Sequence, residues 1–230
     1  MISKQNLKKV SPVISYYGSK FRLLDKIFSL LDLQENDIFL DLFGGSGIVG
    51  VNAKEIFNCK VIINDYDRIL PLDIEYALRN VLSFEGNCKN YTIARWKYFL
   101  KRLDNKWVDK FYKYNDILKR VRITSYDYQT ILNKIIDNTN TNLKPTKIYV
   151  DPPYFNKKGL YKSSFNDEQH IKLFKLLEIL KPFSRIVISY NDSVFIRKLY
   201  SNWKIIEITK TNTSGIVKTK NVTELLITNV

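Results

Sequence analysis

The chain has 230 residues, 45% of them hydrophobic, which suits one sizeable domain with a packed core and excludes a disordered chain. Lys and Arg number 37 against 23 Asp and Glu, and the formal net charge of +14 points to a polyanion, most simply nucleic acid, with a lysine-biased soluble protein as the plain alternative. Two cysteines and one histidine exclude a disulfide framework, a zinc cluster and any two-histidine mechanism, while the lack of a long apolar run or a signal-peptide core makes a cytoplasmic protein the expectation.

From the amino end, Ser15-Tyr16-Tyr17-Gly18-Ser19-Lys20 reads as an aromatic-glycine turn. It leads into an amphipathic helix with Leu23, Leu24, Ile27, Phe28 and Leu31 on its apolar face. Alone this is a turn and a helix start. After Asn36-Asp37, the run Ile38-Phe39-Leu40-Asp41-Leu42-Phe43 predicts a strand and Gly44-Gly45-Ser46-Gly47 a tight turn. A helix follows with Val49, Ala53, Ile56 and Phe57 inward. Strand, glycine turn and helix in that order mark a nucleotide-type site at the head of a doubly wound sheet. No Gly-Lys-Ser/Thr follows, so this is not a P-loop, and Gly-Gly-x-Gly fits the dinucleotide fingerprint only loosely. Asp41 would repel a phosphate, yet it suits a ligand with positive charge such as an amino-acid ammonium. A second short strand, Lys60-Val61-Ile62-Ile63-Asn64, runs into Asp65, roughly twenty residues past the glycines, where a carboxylate accepts hydrogen bonds from ribose hydroxyls. The pair indicates an adenosyl ligand without specifying which.

Residues 66–82 carry a helical pattern. Between Ser83 and Arg120 the character changes: ten basic residues, Arg95, Lys97, Lys101 and Arg102 among them, face four acidic ones, with Tyr91, Trp96, Tyr98, Phe99, Trp107, Phe111, Tyr112 and Tyr114 interleaved. Basic residues among aromatics suit a nucleic-acid surface, by phosphate neutralisation and stacking; a helical subdomain that packs its aromatics and solvates its lysines is the structural alternative. Val121-Arg122-Ile123-Thr124 predicts a return to the sheet, followed by a helix with Ile131, Leu132, Ile135 and Ile136.

The apolar segment Ile148-Tyr149-Val150 then runs into Asp151-Pro152-Pro153-Tyr154. Proline fixes its own φ and restricts the residue before it, so the pair makes a stiff extended turn. The Asp151 carboxylate and the Pro152 carbonyl form an acceptor-only pair matched to a group with two N–H donors, such as an exocyclic amine, and Tyr154 offers a face on which a planar base stacks. Unaided, an ordinary strand-to-turn junction is as good a reading. Lys157 and Lys158 lie in the polar loop that follows. A helix begins near Asn166-Asp167 with Ile171, Phe174 and Leu177 on one face and His170, taken as structural or substrate-adjacent, in its first turn. Residues 185–190 predict another buried strand, 193–200 a helix, and 203–209 with 224–229 a closing antiparallel pair.

Together, Tyr16-Tyr17-Gly18-Ser19-Lys20, Asp41-Leu42-Phe43-Gly44-Gly45-Ser46-Gly47, Asn64-Asp65, Asp151-Pro152-Pro153-Tyr154, Ser189-Tyr190-Asn191-Asp192 and Glu224-Leu225-Leu226-Ile227-Thr228-Asn229 resemble, in order, the blocks of the Dam-like adenine-specific DNA methyltransferases. The resemblance implies an α/β, Rossmann-like S-adenosylmethionine-dependent methyltransferase fold: a catalytic domain over 1–82 and 121–230, with a small helical target-recognition subdomain inserted at 83–120. By matching positions, Tyr16, Lys20, Asp65 and Asp151 would bind the cofactor, with Asp41, Phe43, Gly44, Gly45 and Gly47 lining the same pocket. Asp151, Pro152 and Tyr154 would be catalytic. Tyr154, Lys157, Lys158, Arg95, Lys97, Lys101 and Arg102 would meet the substrate, a flipped-out adenine of double-stranded DNA. No metal is implied. The sequence departs from the family in lacking the Asn/Gly-rich hairpin tip that reads DNA, so either helices replace it, specificity is relaxed, or a partner supplies it; the partners the resemblance implies are a cognate restriction enzyme or an accessory specificity protein. An RNA adenine methyltransferase of the same fold and an inactive nucleic-acid-binding relative are the alternatives. A dehydrogenase is disfavoured by the glycine spacing and by Asp41.

Overall fold

The computed structural model describes residues 8–13, 18–66, 97, 105–139, 146–156, 164–211 and 221–230. Its first helix, α1 (Leu24–Leu31), buries Leu24, Ile27, Phe28 and Leu31, the i, i+3, i+4, i+7 stripe that its sequence writes. It stops at Asp32, whose left-handed backbone (φ 51) returns its N–H to the Phe28 carbonyl. Then follow β1 (Ile38–Asp41), α2 (Ile48–Phe57), β2 (Lys60–Asn64), α3 (Asn105–Leu118), β3 (Arg122–Thr124), α4 (Tyr128–Thr139) and β4 (Thr146–Val150). The chain closes through α5 (Asp167–Leu180), β5 (Ile186–Asn191), α6 (Val194–Leu199), β6 (Lys204–Thr211) and β7 (Asn221–Thr228). The two late helices are capped by their own sequence. Asn166 and Gln169 form a capping box at α5, and the Ser193 hydroxyl accepts the Ile196 N–H at α6.

The strands form one seven-stranded sheet in the order β3-β2-β1-β4-β5-β7-β6. The first five are parallel and β7 runs antiparallel between β5 and β6. Strand order reverses between β1 and β4, so the crevice outside their carboxyl ends is where a ligand binds in sheets of this kind. Both faces of the sheet are covered, which explains why the central strands are continuous apolar runs instead of alternating ones. Phe39, Val61, Ile63, Tyr149, Val187 and Leu226 pack under α1, α2 and α3. Their strand neighbours Leu40, Ile148, Val150, Ile186, Ile188, Leu225 and Ile227 pack on the other side under α4, α5 and α6. The expected closing pair is present, with Lys204 opposite Thr228 through Thr211 opposite Asn221.

Two expectations are refined by packing. The α5 face that enters the core is His170, Leu173, Leu177 and Leu180, one position round from the predicted Ile171–Phe174–Leu177 stripe, because the helix must meet Tyr190 and the aromatic rings beside it. The helix α3, which the sequence places in the inserted segment, lies in the core layer. Tyr114, Ile117 and Leu118 are buried with α2, the Tyr114 hydroxyl donates to the Ser46 carbonyl, and Lys113 pairs with Glu55 at 2.9 Å. The predicted helix beyond Tyr66 and the rest of the insert up to 104, Lys97 apart, fall outside the described residues, and Lys97 is exposed. No helix among the described residues is long and apolar enough to cross a membrane.

Candidate active site

Two strand ends define the site. After β1 the chain turns through Gly44 to Gly47, a path that needs glycine at two points: Gly45 has φ 51, and Gly47, at the start of α2, has φ 70. The turn is tied to the next strand by the Gly44 N–H, which donates to the Asn64 carbonyl at 2.8 Å, and by the Gly45 N–H, which donates to Asp65 Oδ2 at 2.7 Å. Asn64 itself is fully engaged. Its amide donates to the carbonyls of Leu42 and Tyr126, and its oxygen accepts from the Thr124 hydroxyl and the Tyr126 N–H. This locks the carboxyl ends of β1, β2 and β3 into one rigid rim.

Asp41, the last residue of β1, is 1% exposed, and its Oδ2 accepts the Gly50 N–H at 3.0 Å. Burial pushes its carboxyl up to about 7, the Gly50 N–H works against that, and the carboxylates of Asp151 and Asp65 add to it. Gly50 leaves the approach open: a Cβ there would sit 2.5 Å from Ile63 Cγ1.

One strand over, β4 delivers Asp151. The β1–β4 pairing sets Asp41 against Tyr149, which brings the two acids to the same end of the sheet. The Asp151 carboxylate meets the Lys20 ammonium at 2.6 Å, and that lysine, 4% exposed on its side chain, also donates to the Gly18 carbonyl at 2.8 Å. Lys20 lies 3.7 Å from Glu224 Oε1 and 5.2 Å from the centre of the Tyr154 ring. The Tyr154 hydroxyl donates to the same Glu224 oxygen at 2.8 Å. Burial, followed by Asp151 and Glu224, pushes the Tyr154 phenol far above its ordinary value, so it stays a neutral donor. Pro152 is buried. The turn is braced from behind. The Asn191 amide donates to the Phe155 carbonyl at 3.1 Å, and the Phe155 ring stacks on Phe195 at 4.5 Å. His170 sits among these rings with its Nδ1 2.8 Å from the Tyr190 hydroxyl. Burial lowers its imidazole to about 4, which keeps it neutral at neutral pH.

The structure thus brings together Lys20, Asp41, Gly44, Gly45, Gly47, Asp65, Asp151, Pro152 and Tyr154. Phe43 turns its ring toward Tyr128 and Phe165, at 5.9 and 5.8 Å. Tyr16, Arg95, Lys101, Arg102, Lys157 and Lys158 lie outside the described residues. Sequence reasoning placed Glu224 in a block but gave it no role; the signal was a lone carboxylate opening the apolar run Leu225-Leu226-Ile227. An open depression of about 500 Å³ between α1 and β6, lined by Arg22, Asp25, Lys26 and Glu207 among others, contains none of these residues. Among the described residues no cluster of His, Cys, Asp or Glu is arranged to hold a metal ion.

A family model described as D12 class N6 adenine-specific DNA methyltransferase matches residues 16–93 and 73–214. No curated protein sequence matches the chain. Among solved structures, the C-terminal domain of precorrin-6Y C5,15-methyltransferase from Rhodobacter capsulatus is similar at 12% identity and a TM-score of 0.49, over 96% of this chain and 95% of that one. Precorrin-6y C5,15-methyltransferase from Geobacter metallireducens GS-15 is similar at 12% identity and a TM-score of 0.47, over 94% and 97%. A SAM-dependent O-methyltransferase from Thermotoga maritima is similar at 11% identity and a TM-score of 0.43, over 90% and 64%.

Proposed function

The chain belongs to the D12 class N6 adenine-specific DNA methyltransferase family and is a methyltransferase that uses S-adenosylmethionine, and we propose that it methylates the exocyclic amine of an adenine flipped out of double-stranded DNA. The residues fit that cofactor. The glycine turn leaves room for close approach, and Asp41, Asp65 and Asp151 surround the space with carboxylates suited to a ligand that carries both a sulfonium and an ammonium. Asp65 and Lys20 would hold its nucleoside and amino-acid parts, with Asp41 and residues 43–47 lining the pocket. When bound, the cofactor supplies an electrophilic methyl group.

The protein's own part is positioning and electrostatics. An adenine amine is a weak nucleophile because its lone pair is drawn into the ring. The Asp151 carboxylate and the Pro152 carbonyl accept hydrogen bonds from its two N–H groups, which pyramidalises the nitrogen and aims the lone pair outward. Tyr154 stacks on the extruded base, whose removal from the duplex is needed to expose the amine. DNA reading is assigned to the basic, aromatic segment upstream of α3, including Arg95, Lys97, Lys101 and Arg102, with Lys157 and Lys158 beside the flipped base.

The observation that carries this reading is that Asp151 leaves β4 at the same sheet end as Asp41 and the glycine turn of β1, where strand order reverses. Labelled methyl transfer to DNA followed by sequencing of the modified sites tests it. Asp151→Ala is expected to abolish transfer while DNA binding survives; full activity in that variant removes Asp151 from the mechanism. Transfer to RNA alone would replace the substrate and keep the site. One strict recognition sequence would assign specificity to this chain, whereas scattered sites would mean that its specificity is relaxed or supplied by a partner.

A further inference from the structure

Glu224 is the residue in this site that neither the family blocks nor the sequence reading gave a task. It lies on β7 opposite Asn191, 5% exposed, at the carboxyl end of β5. A carboxylate so deeply placed is unfavourable unless its neighbours hold it charged. Here its Oε1 receives the Tyr154 hydroxyl at 2.8 Å and stands 3.7 Å from Lys20 Nζ, which is itself 2.6 Å from Asp151 Oδ2. One buried ammonium therefore sits between two carboxylates, hydrogen-bonded to the first and just short of the second.

We infer that Glu224 is a positioning residue for methyl transfer: it sets the Tyr154 ring through its hydroxyl and offers Lys20 a second seat, which frees Asp151 for the amine. This inference rests on the adenine reading above. An ammonium 2.6 Å from one Asp151 oxygen draws on the carboxylate's charge and weakens it as an acceptor for an adenine N–H. A shift of Lys20 by about 1 Å turns the contact with Glu224 into a full charge-assisted hydrogen bond. The ammonium stays buried and paired throughout, so the move does not strand a charge. Because the same Glu224 oxygen receives the Tyr154 hydroxyl, the seat of the lysine and the tilt of the stacking ring are coupled. No proton is transferred; only a hydrogen-bond partner changes.

Steady-state kinetics on DNA with wild type, Glu224→Gln and Tyr154→Phe test the idea, with melting temperature and calorimetric S-adenosylmethionine affinity as folding controls. Glu224→Gln keeps an oxygen for the Tyr154 hydroxyl and removes the charge that draws Lys20. Its kcat is expected to fall about tenfold or more while cofactor affinity and KM for DNA stay within about twofold. Tyr154→Phe keeps the ring and lowers kcat less, and the double variant falls short of the product of the single effects, because both substitutions break one coupled unit. A Glu224→Gln protein with wild-type kcat overturns the inference. So does one whose melting temperature and cofactor affinity collapse together with kcat, since that is the mark of a merely structural residue. A wild type that transfers no methyl to adenine overturns the functional reading and takes this inference with it, whereas an active wild type beside an unaffected Glu224→Gln removes this inference alone.

Discussion

Asp41 ends a strand of otherwise apolar residues, and its burial raises the carboxyl from 3.8 to about 7, with Asp151 and Asp65 pressing the same way. The folded chain therefore retains a proton between those two values that the unfolded chain has released. Stability contributed here falls as pH rises through that window and is level above pH 7. A cationic ligand reverses the balance by favouring the carboxylate. If S-adenosylmethionine binds beside Asp41, its binding expels the proton below pH 7, and affinity climbs with pH until about 7 and then flattens. Calorimetry at pH 6 in buffers of differing ionisation enthalpy is expected to register a fraction of a proton released, and none at pH 8.5. Asp41→Asn should abolish the release and stabilise the empty protein at pH 8 by on the order of 2 kcal/mol. A binding enthalpy independent of buffer at pH 6 would place the positive charge of the cofactor away from Asp41.

At the scale of elements, the site exists because α2 can lie close on β2. Gly50 faces Ile63, and a Cβ added there would meet Ile63 Cγ1 at 2.5 Å and Cδ1 at 2.6 Å, with Asp41 Oδ2 at 3.4 Å. Alanine in a helix interior is intrinsically better than glycine by up to about 1 kcal/mol, but overpacking a rigid interface costs about 1–3 kcal/mol, so the packing penalty decides the sign. Gly50→Ala is expected to lower the urea midpoint. In a cycle with Ile63→Ala, which removes both clashing atoms, the double variant should lose less than the sum of the single losses. Additive losses would mean that the helix can lift without strain. Much of this layer was legible in the chain itself. The glycine turn after β1, the acid after β2 and the proline pair after β4 announce strand ends, because only carboxyl ends of parallel strands gather such residues in this kind of sheet. The stripe of α1 and the caps of α5 and α6 follow from local rules. The closing β6–β7 pair was legible, but its register and its place in the sheet were not. Strands buried on both faces have no alternation to read, so nothing in Leu225-Leu226-Ile227 says that β7 inserts between β5 and β6 and carries Glu224 to Lys20. Nor does the basic, aromatic composition around α3 reveal that Tyr114, Ile117 and Leu118 turn inward while Tyr112 stays 63% exposed.

For the whole molecule, the decisive quantity is charge. The chain carries a formal +14, yet among the described residues the site gathers Asp41, Asp65, Asp151 and Glu224 near Lys20, so an acidic pocket sits in a basic chain. That contrast suits a protein that holds a polyanion by its backbone and presents a cation to one base. Phosphate contacts release condensed counterions, and log K then falls linearly with log salt at a slope near −0.9 per contact on duplex DNA. Binding of a duplex followed by fluorescence anisotropy between 50 and 200 mM salt is expected to show such a slope, of about −4 or steeper. Asp151→Ala removes a site carboxylate and should leave the slope unchanged. Joint replacement of Lys97, Lys101 and Arg102 by alanine should flatten it by about 2–3, because each lost phosphate contact removes close to one unit. If that triple variant keeps the wild-type slope, the segment upstream of α3 does not track the backbone, and the DNA would instead have to be held by other basic residues, Lys157 and Lys158 among them.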